Sequence, residues 1–374
     1  ASANLIVGQQ SLSIGDSMNF DNVSVKEVIT SNIPRIDYTG GGCGKLLLEG
    51  QRTNTVLSNS DYTASWSLVN VIPTANATTS PNGNNDAQKL TSANTFGQHY
   101  IREILGGHTV GAPHVFSCFA KASELDILSL RLVNGGGPTY VNFDLTNGTH
   151  DGGANGKMIG FGNGWYRCIS YHASSTNATL YPYIYTQVGN TQGDGVSGFY
   201  VYGAQLEEGS YETSLINTSG TTVTRLADES STTGLSSVIG QTEGTLHIKF
   251  DRQNSFRGDI ALYTDINNRV QIYANSNVTR ATVISGGVSI FDVQISSAYG
   301  ALSVALAYKL NDFKIYVNGS SVYTNTSGAV PTSLNDFYFA SNSSGANSFY
   351  QRVNALSLFK TRLTDTELAT LTTL

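Results

Sequence analysis

The sequence predicts an all-β protein built of tandem β-sandwiches, with an N-terminal strand arm and a short C-terminal helix. Three observations predict it. Short stretches that alternate apolar and polar residues, HVFSCFAKA and TLYPYIYTQ among them, recur along most of the chain, separated by Gly, Asn and Pro at the spacing of all-β folds. Only 13% of residues are charged, while Gly numbers 39 and Asn, Ser and Thr are abundant, a composition suited to many turns and a polar, weakly charged surface. With 374 residues the chain is long enough for two or three domains, each with its own core.

Taken in order, the first thirty residues contain SMNFDNVSVKEVI, which alternates Phe20, Asn22 and Ser24 against Asp21, Val23 and Val25. A lone strand does not stand in water, so this arm is expected to pair with a neighbouring sheet, or to end a domain that begins before the covered chain. In NIPRIDYTGGGCGKLLLEGQRTN the run Gly40 to Gly44 reads as a flexible turn and Leu46 to Leu48 as a buried strand. From Thr55 to about Arg225 the strands of one sandwich are expected at AQKLTSA, QHYIREIL, HVFSCFAKA, DILSLRLVN, TYVNFDLT, KMIGFG, WYRCISYHA, TLYPYIYTQ and GFYVYGAQLEE. Trp66 and Trp165 are expected to pack on that sandwich.

Residues 222–244 form a Ser/Thr/Gly-rich connector, and beyond it TLHIKFD, GDIALYTD, RVQIYAN, GVSIFDVQIS, LSVALAYKL, DFKIYVNGSSVYT, DFYFASN and QRVNALSLFK repeat the pattern of short strands. Asn318-Gly319 supplies a hairpin turn that tolerates positive φ. Thr364 and Glu367 make a T-x-x-E capping box, with Leu363 and Leu368 as its hydrophobic staple, so the last segment is a helix that closes the domain. The expected division is an arm over 1–45, a sandwich over 46–228 and a second over 229–374.

Two resemblances sharpen this outline. The segment from Gly164 to Arg225 carries GWYR at Gly164 to Arg167, then Gly203 to Ser210, Thr213, Ser214, Ile216, Thr218, Gly220, Thr224 and Arg225 in the pattern GAQLEEGSxxTSxIxTxGxxxTR. It resembles the carbohydrate-binding jelly-roll modules of bacteriophage virion proteins. Pro34, Arg35, Asp37, Tyr38, Leu46 to Glu49 and Gln51 to Asn54 resemble the PRxDY…LLLExQRTN segment that leads into such jelly rolls, with Gly50 where proline is usual. The string FDNVSVKE resembles the closing strand of a further jelly roll. Ala305, Tyr308, Asn311 to Phe313, Tyr316 to Gly319, Leu363 to Asp365, Glu367 and Leu368 resemble concanavalin-A-like, laminin-G-like sandwiches. The resemblance covers about 31 to 228 and, with weaker motifs, 240 to 374. It implies a jelly roll followed by a concanavalin-A-like domain in a tail fibre, receptor-binding or capsid-fibre protein, commonly a homotrimer.

Composition and spacing exclude several chemistries. A net charge of −6 argues against a nucleic-acid partner, and a neutral polar ligand such as a glycan fits better. No apolar run is long enough for membrane insertion and no signal peptide opens the chain, so extracellular action would follow release by host lysis. Cys43, Cys118 and Cys168 suggest neither a disulfide framework nor a zinc site. The histidines at 99, 108, 114, 172 and 247 show no metal-ligand spacing. His150 and Asp151 resemble a base and its partner, but no nucleophile motif accompanies them and the flanking glycines point to a solvated loop. Glu207 and Glu208 are adjacent on a strand and so leave opposite faces, unlike the paired carboxylates of a glycosidase. No cofactor is required. A structural Ca2+, common in both resembled families, has the turn around Asp265 as a candidate place, with its ligands unassigned.

What remains is binding. Tyr181, Tyr183 and Tyr185 leave one face of TLYPYIYT; Tyr140, Asn142 and Asp144 leave one face of TYVNFDLT; Arg131 leaves DILSLRLVN opposite its leucines. If these strands share a sheet, tyrosine rings for sugar C–H faces lie beside Arg131 and Asn142 for hydroxyls. Tyr181, Tyr183, Tyr185, Arg131, Tyr140 and Asn142 are therefore the candidate glycan site, the alternatives being a face covered by another domain or subunit, or plain exposed sheet. The expected function is a non-enzymatic virion surface protein, a tail fibre or adhesin binding host surface polysaccharide. A capsid decoration or head fibre is the alternative, and a polysaccharide-degrading enzyme stands third.

Overall fold

The computed structural model describes residues 35–37, 44–133, 140–173, 175–228, 231–252, 258–275, 278–298, 300–339 and 352–374. The expected arm strand FDNVSVKE, the run Gly40 to Cys43 and Tyr38 lie outside the described residues.

Among the described residues two β-sandwiches stand in tandem, all their strands antiparallel, with one α-helix. The jelly roll has two six-stranded sheets. One runs Thr149–His150, Tyr140–Asp144, Ile127–Val133, Tyr181–Gln192, Phe96–Arg102, Ser67–Val69; the other runs Gly156–Gly162, Trp165–His172, His114–Lys121, Gly198–Glu208, Ala87–Ser92, Val71–Thr78. Alternation decides what lies between them. Leu128, Leu130, Val141, Phe143, Ile101 and Ile184 from the first meet Leu90, Phe116, Cys118, Cys168, Phe199 and Val201 from the second in one buried core. Trp66 packs edge-on against Tyr62 and donates its indole N–H to the Ser58 carbonyl (2.9 Å). Trp165 is equally buried but belongs to a separate cluster with Phe119 and Tyr202, and it donates to the Thr79 carbonyl (3.0 Å).

The second sandwich packs the sheet Ser231–Thr232, Asp336–Tyr338, Gly258–Asp265, Asn268–Asn275, Val278–Ser285, Val288–Ser296 against a seven-stranded one. That larger sheet runs Arg35–Asp37, Lys45–Leu47, Arg352–Phe359, Glu243–Arg252, Gly300–Lys309, Asp312–Val317, Ser320–Asn325. The two-residue turn at Asn318 (φ 49°) and Gly319 (φ 83°) has positive φ at both positions, as the expected hairpin requires. The helix Asp365–Thr372 starts at Thr364 with both capping-box hydrogen bonds in place. Its Leu368 packs with Leu363 on Ala305, Ala307 and Tyr316, covering the sheet face that points away from the core.

The observed strand pairing differs from the expected division at 45/46. Lys45–Leu47 pairs with Arg352–Phe359, and Leu48 is buried in the core of the second sandwich. The jelly roll is thus inserted between strands of the second domain's sheet. The connector is also partly ordered as strand, Val223–Arg225 pairing with Arg52–Asn54 and Ser231–Thr232 with Asp336–Tyr338. Val278–Ser285, which the sequence reading passed over, is a full strand between Asn268–Asn275 and Val288–Ser296.

The residues that carry the jelly-roll resemblance form a buried polar hub. Asn54, fully buried, donates to the Ala204 and Ile216 carbonyls (3.2 and 2.9 Å) and accepts from the Val56 and Leu206 amides (both 3.1 Å). Gln205 accepts from the Ile216 amide (2.6 Å), and Glu207 accepts from the amide (3.1 Å) and hydroxyl of Thr213. Glu49 accepts from the Ser214 amide (2.7 Å) and pairs with Arg225 (3.1 Å). Burial without partners would be costly for each group, so the motif spacing is fixed by mutual satisfaction.

Candidate functional site

The three strands expected to share the tyrosine face are neighbours in one sheet, and a fourth joins them. Tyr140, Arg131, Tyr183 and Arg102 lie directly across from one another in a single row over four strands. The next row reads Asn142, Ser129, Tyr185, Tyr100. Tyrosine and arginine therefore alternate across the first row. Tyr100 and Arg102 were missing from the sequence-based site, although QHYIREIL itself alternates Tyr100 and Arg102 against Ile101, the signal that would have found them.

The groups bind one another. Arg102 Nη1 donates to the Tyr183 hydroxyl (2.9 Å), and Arg131 Nη1 donates to the Tyr140 and Tyr185 hydroxyls (both 3.3 Å). The Arg131 guanidinium lies over the Tyr140 and Tyr183 rings, 5.1 and 5.4 Å from their centroids, and that of Arg102 over Tyr183 at 5.7 Å. Tyr183 and Tyr185 stack at 5.6 Å, with Tyr100 edge-on to Tyr183 and Tyr140 edge-on to Tyr185. Burial raises the Tyr185 phenol above its ordinary pKa, with the Tyr140 hydroxyl adding to it and Arg131 opposing. The hydrogen bond to Tyr183 raises the Arg102 guanidinium further.

Mutual packing changes which residues can meet a ligand. Tyr185 is 1% and Tyr183 9% exposed, so the expected platform of three tyrosines is corrected: these two are the floor. Tyr181, Tyr140, Tyr100, Arg131 and Arg102 are half-buried and form the upper surface. Asn142 is oriented by Asp151, which accepts from its amide N–H (2.8 Å) and from its side-chain Nδ2 (2.6 Å), while Ser129 donates to its Oδ1. Asp151 thus positions Asn142 and not His150. Thr149–His150, expected in a solvated loop, is an edge strand paired with Phe143–Asp144.

Glu207 and Glu208 do leave opposite faces, Glu207 wholly buried on Thr213 and Glu208 exposed. Asp265 Oδ1 accepts from the Asn267 amide (2.8 Å) within its own turn. Cys118 and Cys168 are buried free thiols on facing strands. A second surface that the sequence reading did not single out is a groove of about 780 Å³ whose lining includes Asp61, Asn82, Asp86, Gln88, Tyr202 and Asn217. Asp86 Oδ1 and Gln88 Oε1 are buried there without partners. Among the described residues, no helix is long and apolar enough to cross a membrane.

No family model matches the chain, and no curated protein matches it. Among solved structures, domains LG4-5 of the mouse laminin alpha1 chain align over 89% of this chain and 93% of their own, at 10% identity and a TM-score of 0.28. The LG1-3 region of the laminin alpha2 chain aligns over 72% and 65%, at 10% identity and a TM-score of 0.29. The CBM22-1-CBM22-2 tandem of Paenibacillus barcinonensis Xyn10C aligns over 84% and 99%, at 11% identity and a TM-score of 0.28. At these scores the likenesses bear on neither ligand nor activity.

Proposed function

We propose that this chain is a non-enzymatic surface protein of a bacteriophage virion, a tail fibre or receptor-binding component that attaches to host surface polysaccharide through the tyrosine–arginine face of its jelly roll. The observation that supports the reading is the alternation of Tyr140, Arg131, Tyr183 and Arg102 across one row of the sheet. Half-buried rings offer flat apolar area to a pyranose, and guanidinium groups held by tyrosine hydroxyls offer donors to its oxygens at little further entropy cost. Arg131 and Arg102 beside Asp144 and Asp151 give the face both donors and acceptors for sugar hydroxyls. Each such site is weak, and repetition on a trimeric fibre multiplies avidity. The reading needs no cofactor, nucleic acid or membrane insertion, and places the protein outside the cell only after host lysis.

One observation favours a second reading, a capsid decoration or head fibre whose face packs against a neighbouring subunit: the hydroxyls of Tyr183 and Tyr185 are already taken by Arg102 and Arg131. A glycan array and host-cell binding assay decides between them, run on the wild type, Tyr181→Ala, Arg131→Ala and, for the groove, Asn82→Ala. Loss of binding in the first two variants, each shown to fold, supports the adhesin face. Loss in Asn82→Ala alone moves the site to the groove. Wild-type protein that binds no glycan refutes the adhesin reading, and an oligomer that protects Tyr181 from modification then supports the packing role.

A further inference from the structure

At one end of the jelly roll three strands finish side by side. His114 opens its strand directly opposite Glu208, the last residue of the strand on one side, and opposite His172, the last on the other. The loop that leads into His114 brings His108 over the same spot, and it is pinned in place: His108 N donates to the Ala178 carbonyl (3.0 Å), Gly111 N to Ser175 (2.8 Å), and Thr109 N to Glu208 Oε2 (3.2 Å). One imidazole nitrogen from each histidine and a Glu208 oxygen all lie within 4.8 Å of one another.

The histidines are in an unusual state for buried side chains. His114 is fully buried and His108 is 6% exposed. Neither ring nitrogen of His114 has a hydrogen-bond partner, the Ala112 carbonyl lying near it but outside hydrogen-bonding geometry, and His108 Nε2 has none either. Other buried histidines differ. His99 has both nitrogens at carbonyls of Asn70 and Thr191 (2.8 and 3.2 Å), and His172 holds the Ser170 hydroxyl (2.7 Å). Among the described residues, His114 is the one histidine with both ring nitrogens buried and unpartnered. Buried polar atoms are normally paired, and lone pairs left facing a second imidazole and a carboxylate are what a cation would satisfy.

We propose that His108, His114 and Glu208 form a binding site for a divalent transition metal, with Zn2+ the best-suited ion. Two imidazoles and one carboxylate match its borderline-soft preference, whereas Ca2+ takes oxygen ligands and is excluded by the histidines. Bonds of about 2.0–2.1 Å in a tetrahedron place ligand atoms about 3.4 Å apart, so the three groups close by roughly 1.4 Å at most, within reach of side-chain rotation. The rings are inclined at 74°, not stacked, which lets their nitrogens converge. Exposed Glu208 marks the entry side, and the fourth position is left to water or an exogenous ligand. The ion would tie the loop around His108 to the ends of two strands.

The test uses the whole chain stripped with a chelating resin and titrated with Zn2+ alone by calorimetry, with Ca2+ as the control. Expected are one Zn2+ per chain, a Tm rise of about 5 °C at a hundredfold excess over Kd, and no response to Ca2+. Co2+ in place of Zn2+ is expected to give the visible absorption of a tetrahedral site. Glu208→Gln, at the exposed rim, and His108→Ala are each expected to weaken Zn2+ binding at least tenfold with an unchanged circular dichroism spectrum. Wild-type chain that binds no Zn2+, or variants that bind it as wild type does, overturns the proposal.

Discussion

The polar hub around Asn54 and the tyrosine–arginine face use the same donors and acceptors in opposite surroundings. In the hub, Asn54 makes four hydrogen bonds to backbone groups and is wholly removed from water. On the face, Arg131 makes two long hydrogen bonds to phenols and keeps a half-exposed side chain. The hub has no spare valence and no access, so its residues can only hold segments 49–54, 203–216 and 225 together. The face keeps donors and ring area toward solvent, so it can still meet a partner. A motif that signals a family can therefore be architecture, with recognition falling on residues the motif does not name.

The largest expected effect tests the first half of that contrast. Asn54→Ala leaves four buried backbone partners unmet and is expected to cost about 3 kcal/mol or more, read as a lowered midpoint in urea. A loss under about 1 kcal/mol would mean that the hub is not what binds these segments. Next comes a polar group with only half its valence used. His247 is 4% exposed, bonds Ser303 through Nε2 (3.1 Å), and burial, with Lys249 adding to it, pushes its pKa down to about 4. Its folded pKa lies below the unfolded value, so stability is full above about pH 6.5 and falls as the pH drops toward 4, at about 1 kcal/mol per unit. Chemical denaturation from pH 7 to 4.5 should show a shallower decline in His247→Gln than in wild type, and parallel curves would remove the histidine from the account.

At the exposed helix start, Thr364→Ala breaks the capping box and is expected to cost about 1 kcal/mol, visible as a small fall in Tm. Smallest in stability is Arg131→Ala, expected to shift unfolding by less than about 1 kcal/mol because both of its hydrogen bonds are long (3.3 Å) and Arg131 and its Tyr140 partner are only half-buried. A loss approaching that of Asn54→Ala would erase the distinction between hub and face.

Much of this was legible because it is local. Alternation placed most strands, Asn318-Gly319 placed a hairpin, and Thr364 with Glu367 placed a helix start. The pairing of Tyr140 with Arg131 followed from two adjacent alternating strands; alternation in QHYIREIL marked Tyr100 and Arg102 as sharing one face, but that this face adjoins Tyr181–Gln192, some eighty residues on, is a long-range pairing that alternation does not reveal. Val278–Ser285 escaped notice because it reads VTRATVIS, with Arg280 held at Tyr273 and Asp292 by neighbours that only the folded sheet supplies. His108, His114 and Glu208 meet because strand ends coincide, so no spacing rule would have joined them. The burial of Tyr183 and Tyr185 is likewise a property of four strands together and not of an alternating string.

The strand Lys45–Leu47 has a mechanical consequence. It lies beside Arg352–Phe359, so tension applied at Arg35 and at Leu374 runs through the seven-stranded sheet and leaves the intervening jelly roll slack. The jelly roll would feel load only after that strand peeled away, and until then whatever its outer face holds would not be loosened by a pull along the chain.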